Sequence, residues 1–172
     1  MGDGKISDNI ITIMSKNVFR FSEYWYSNYI VKSLTKKAED RTIYIEKYRG
    51  PIVSTITNGI KAIDSKRIDA DSYLKMGRDH FYLGLSLVEM EKNQVLMEQA
   101  IFDFLQIEKN QNNAAITDKE INEYLLEFRQ LNNTVTPLII EGYLEAAKES
   151  KSERWNKWAN NFDFFLFKGK FR

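Results

Sequence analysis

Apolar residues recur at helical spacing along most of this chain, and that periodicity constrains its fold more than any other feature. Ile10, Met14, Val18, Phe21 and Trp25 fall three or four positions apart, and Ile52, Ile56, Ile60 and Ile63 repeat the pattern. A helix returns to the same face about every 3.6 residues, so each set forms one apolar stripe. Strand-type alternation is scarce, and no Asn-Gly or Asp-Gly turn lies between strand-like runs. The expected fold class is therefore all-α, a single-domain antiparallel bundle or array of about five to six helices. One domain is the ordinary outcome for 172 residues, and it can bury about 70% of the unfolded surface. It is taken to span 1–172, with 1–7 and 168–172 as candidate disordered ends.

The pattern also suggests where helices begin and end. A first helix is expected from about 8 to 48, capped by Ser7 or Asp8 and bent near 33–40. Gly50-Pro51 should end it, because proline has no N–H to donate and crowds the preceding turn; Pro51 then suits the first turn of a second helix. A third helix, capped by Asp69 or Asp71, places Phe81, Leu85, Val88, Val95 and Phe102 on one face and runs to about Lys109. Gly77 and Gly84 lie two turns apart on it, a spacing that lets another helix approach closely. Residues 110–116 read as a polar loop. Thr117-Asp118-Lys119-Glu120 is a capping box, the most specific local signal in the chain: the Thr oxygen accepts from the Glu N–H and the Glu carboxylate reaches back. The helix it opens points Ile121, Leu125 and Phe128 inward. Asn132-Asn133 is expected to break that helix and Thr136-Pro137 to restart it, with Ile140, Leu144 and Ala147 carrying the next helix to about Glu149. Trp155, Trp158, Phe162 and Phe165 then fall at helical spacing, with helix ending near Asn161.

Composition removes most site chemistries. The chain has no cysteine and one histidine. Disulfides, thiolate ligands and thiol nucleophiles are thus absent. His80 alone cannot supply the two Glu-x-x-His elements of a di-iron bundle or the paired histidines of an HExxH zinc site. Its neighbour Asp79 diverges from it on a helix, so His80 is read as a partly buried or surface residue. No GxGxxG or Walker Gly-Lys-Ser/Thr occurs, which excludes a P-loop. Asp3-Gly4-Lys5 lacks the flanking ligands of an EF-hand. Glu141, Glu145 and Glu149 form a carboxylate stripe, read as a solvated helix face rather than an acid–base pair. Leu83-Gly84, Ala100 and Phe104 follow an order similar to a tetratricopeptide repeat, but a single copy has nothing to stack on. No enzymatic activity, catalytic residue, metal or cofactor is expected.

The positive signals are aromatics and charge. Phe, Trp and Tyr make up 13% of the chain. Phe19, Phe21, Tyr24, Trp25, Tyr26 and Tyr29 crowd one segment, too many for one core-facing stripe. Some belong to a large core or to an interface, and the sequence leaves both readings open. Net charge is +1, yet Leu87–Ala147 holds four basic residues against eleven acids, and Lys148–Arg172 holds seven against three. The function expected is a non-enzymatic protein–protein interaction module of adaptor or inhibitor/immunity type. Its candidate partner-binding residues are Phe19, Phe21, Tyr24, Trp25, Tyr26, Tyr29, Trp155, Trp158, Lys168, Lys170 and Arg172. The partner is another protein or a second copy of the chain. One alternative is a nucleic-acid or anionic-surface binder using the basic, aromatic C-terminal segment. Another is a periplasmic or lipid-anchored accessory domain whose signal has been removed. No stretch approaches the length of a transmembrane helix. Met1–Lys5 lacks a signal peptide's apolar run, which slightly favours a cytoplasmic setting.

Overall fold

A computed structural model of the chain describes residues 8–30, 41–111 and 115–168, as backbone alone beyond residue 153. The fold is all-α, with no strand among these residues. Its helices are α1 (Asp8–Lys16), α2 (Val18–Trp25), α3 (Arg49–Ser65), α4 (Ala70–Tyr82), α5 (Leu87–Asn110) and α6 (Asp118–Lys168). A π-helical segment, Tyr26–Ile30, extends α2, and a short turn, Arg41–Ile43, leads through a second π segment, Tyr44–Tyr48, into α3.

Two capping boxes set the starts of the longest helices. At α6 the Glu120 N–H donates to Thr117 Oγ1 (3.3 Å) while the Thr117 N–H donates to Glu120 Oε2 (2.7 Å), as the sequence indicates. Ser86 and Glu89 form the same box at α5, with bonds of 3.2 and 2.7 Å. That second box splits the expected third helix. Gly84 adopts φ +77, a left-handed conformation that a side chain makes costly, and the chain turns there before α5 begins in a new phase. The inward face of α5 is consequently Met90, Met97, Ile101 and Phe104, while Val88 and Val95 point to solvent.

The first expected helix is interrupted as well. Asn17 leaves helical geometry (φ −112, ψ 19), and its side-chain amide donates to the Ile13 carbonyl at 2.9 Å, separating α1 from α2. The bend expected near 33–40 lies outside the described residues, as do 1–7. Gly50-Pro51 does not end a helix; Pro51 sits in the first turn of α3, where a missing N–H is tolerated.

The break expected at Asn132-Asn133 does not occur. α6 is one helix of 51 residues with Pro137 inside it, and it continues past Asn161 to Lys168. Pro137 deprives the Asn133 carbonyl of its partner. The Thr136 hydroxyl donates to the Asn132 carbonyl (2.7 Å) and the Thr134 hydroxyl to that of Gln130 (2.9 Å), so neighbouring carbonyls gain donors. Because the helix is unbroken, Leu131, Val135, Ile139, Gly142 and Ala146 continue one buried stripe, and Ile140 and Leu144 face out.

Helices pack around α6. α5 runs antiparallel to it, tied by Lys109–Asp118 (2.7 Å), Arg129–Glu98 and Gln94–Thr136 (3.0 Å). α3 is also antiparallel, with Lys66–Glu127 at 2.7 Å. α4 crosses α6 at backbone contact: a methyl group on Gly77 would overlap the Ile139 carbonyl, and one on Gly142 would overlap that of Leu74. Gly77 thus has the close-approach role its spacing suggests, whereas Gly84 serves the turn. The buried apolar side chains form one contiguous cluster drawn from all six helices.

Candidate interaction surface

The aromatic segment divides by depth. Phe21, Trp25 and Tyr26 are buried. Phe21 meets Phe104 of α5 edge-on (5.3 Å between centroids, 65°), and Tyr26 stacks on Tyr44 (3.7 Å, 23°), joining the two π segments. Of the core and interface readings, these three therefore take the core one, and the folded chain does not present them to a partner. Tyr24 and Tyr29 are half-buried, and only Phe19 is exposed, with the Arg49 guanidinium 5.9 Å above its ring. Trp155, Trp158 and Lys168 belong to the backbone of α6, but their side chains lie outside the described residues, as do Lys170 and Arg172 entirely.

Polar contacts in this region lock α2 to α5. Glu108 is buried and paired with Arg20, whose guanidinium also lies 5.2 Å over the Phe104 ring. The Tyr29 hydroxyl donates to Asp103. Burial and that hydrogen bond push the Tyr29 phenol well above its usual value, and burial with the Asp103 charge raises Tyr24. By sequence, Glu108 is one acid in an acidic stretch. Its place four residues after Phe104 and seven after Ile101, on the inward stripe of α5, is the signal that it needs a buried partner.

His80 is half-buried, with Nδ1 2.7 Å from the Met76 carbonyl oxygen, and burial lowers its pKa. Glu145 of the carboxylate stripe accepts from Arg78 at 2.6 Å, while Glu141 and Glu149 are exposed. Among the described residues, no cluster of three or more His, Asp or Glu is placed to hold a metal ion, and no helix is long and apolar enough to cross a membrane.

The surface that stands out is built from apolar residues that the sequence places at helical spacing on two helices. Val88 and Val95 of α5 are 72% and 69% exposed, and Ile140 and Leu144 of α6 are exposed too. The Gln94–Thr136 bond fixes the register between these antiparallel helices. Val88 therefore lies level with the Ile140–Leu144 turn, and Val95 level with Thr136. Ile140 and Leu144 sit one and two turns along from Thr136, rotated away from the core, and Val88 and Val95 are rotated outward likewise. All four flank the outer side of the α5–α6 seam. Phe81 meets Tyr143 edge-on (5.4 Å, 87°), which brings the exposed Tyr82 and Leu87 to the same end.

No family model matches the chain, and neither does any curated protein or any solved structure. The surface has to be interpreted from its own chemistry.

Proposed function

We propose that the chain is a helical binding module that docks another protein on the outer side of the α5–α6 seam, in an adaptor or inhibitor role. The exposure of Val88, Val95, Ile140 and Leu144 on two paired helices carries this reading. Contiguous apolar surface on a folded domain marks interaction sites. Exposed Glu91, Lys92, Glu141 and Lys148 border it, so the partner surface that fits is apolar with a rim of mixed charge.

The test is a Val88→Lys/Leu144→Glu double variant. Both positions are exposed, so far-UV ellipticity should be unchanged and each substitution should alter stability by no more than about 0.5 kcal/mol. Capture of the physiological partner should fall sharply. Capture at wild-type level by a folded double variant would reject the seam. Sedimentation of the isolated chain distinguishes a second copy from a different protein as occupant.

The charge pattern favours one further reading, an anionic partner for the seven basic residues between Lys148 and Arg172 with their interleaved Trp and Phe. Such binding falls steeply with added salt, whereas association through the seam is nearly insensitive to it.

A further inference from the structure

A second feature lies inside the array. Helices α1 to α6 line a mainly apolar chamber of about 100 Å³ that is partly open to solvent. Four of the chain's five methionines, Met14, Met76, Met90 and Met97, line it. Close-packed interiors leave few voids larger than a water molecule. Methionine is unbranched and polarizable, so a wall built from it can reshape around a guest. For scale, an engineered apolar cavity of about 150 Å³ takes up benzene.

The chamber shares a wall with an outer cleft of about 360 Å³; Trp25, Met76, His80 and Asn93 line both. The only imidazole in the protein thus stands at the neck where the apolar chamber and the cleft meet. Its Nδ1 is 2.7 Å from the Met76 carbonyl oxygen. A carbonyl can only accept, so Nδ1 carries the proton. Burial favours the neutral ring, which leaves Nε2 with a lone pair. No described residue donates to it. Tyr73, whose ring lines the same chamber, has a buried hydroxyl with no hydrogen-bond partner. Buried polar groups are seldom left unmatched in a finished interior.

We infer that chamber and neck form a binding site for a small neutral aromatic or branched-alkyl molecule carrying one hydroxyl or N–H. The apolar body lies among the methionines and the donor reaches His80 Nε2. This site is independent of the α5–α6 seam, and it stands or falls separately from partner docking.

A single histidine makes the test direct. The full chain, labelled with ¹⁵N-histidine and ¹³C-methyl methionine, is titrated with phenol and with toluene, which matches phenol in shape but has no donor. Phenol should shift the Nε2 resonance and the four chamber methyls saturably. Toluene should shift the methyls, leave Nε2 largely in place, and bind about three- to tenfold more weakly, the size of one net hydrogen bond. His80→Leu should remove phenol's advantage over toluene; if that variant fails to fold, the wild-type titration decides alone. Unmoved chamber methyls up to the solubility limit of both probes would overturn the site. Methyl shifts with phenol but a stationary Nε2 would overturn the role given to the neck.

Discussion

Glu108 shows how much a single residue can be asked to tolerate. Its carboxylate is out of water on the inward stripe of α5, and Arg20, half exposed on α2, supplies the compensating charge. Removing one member of such a pair strands the other. Arg20→Ala should therefore cost about 3 kcal/mol, the low end for a buried pair because the arginine keeps some solvent. Urea denaturation measures this, and a loss under about 1 kcal/mol would mean that water reaches Glu108. His80 gives a pH dependence. Its folded-state pKa is depressed from 6.5, chiefly by burial. The unfolded chain then binds the proton more readily, so stability falls as pH drops below about 6.5 and levels off only beneath the folded value. A His80→Leu variant should flatten the stability curve between pH 7 and 5; an unaltered slope would assign that dependence to carboxylates. The sequence left His80 open between a partly buried and a surface position, and the fold makes it half-buried. The Arg20–Glu108 pair was not, because its members are 88 residues apart and no local pattern links them.

Elements are decided by short signals and by what packs on them. The Thr117–Glu120 box was readable because its bonds are local, and Ser86–Glu89 carries the same signature inside what looked like one long periodic run. Glycine has two distinct uses here. Gly77 and Gly142 let α4 and α6 meet backbone to backbone, and Gly84 takes a left-handed turn with open space around it. Alanine at Gly77 or Gly142 must push two helices apart, so each should lose stability at or beyond the upper end of about 1–3 kcal/mol. Gly84→Ala should lose only about 1–2 kcal/mol, through backbone strain. Thermal denaturation of the three variants tests the ordering, and equal losses would contradict the crossing. Gly77 was visible through its spacing from Gly84. Gly142 was not, since a lone glycine in a helix announces nothing until its neighbour is known. Pro137 misled for a related reason. Local rules favour a break there, but Leu131, Val135 and Ile139 are all buried on one stripe, and burial along it exceeds the roughly 3 kcal/mol that an interior proline costs.

At the scale of the molecule, α6 is the spine, touching α1, α3, α4 and α5, and the described core is one cluster. Few contacts can be lost without exposing others. Far-UV and near-UV ellipticity should therefore report one coincident thermal transition, while early loss of the near-UV signal would indicate that α1 and α2 come away first. The sequence by itself determined the helical class, the capped starts of α6 and the existence of most stripes, because those depend on interactions within a few residues. It did not determine the rotation of each helix about its own axis. Periodicity sets the spacing of apolar residues, but which of two adjacent apolar stripes turns inward depends on burial summed over every neighbouring helix. The glycine crossing of α4 on α6 is part of that sum: Ile139 and Gly142 lie against α4, while Ile140 and Leu144 are left outside. Only the tertiary structure could therefore show that Val88, Val95, Ile140 and Leu144, apolar residues at helical spacing, face solvent.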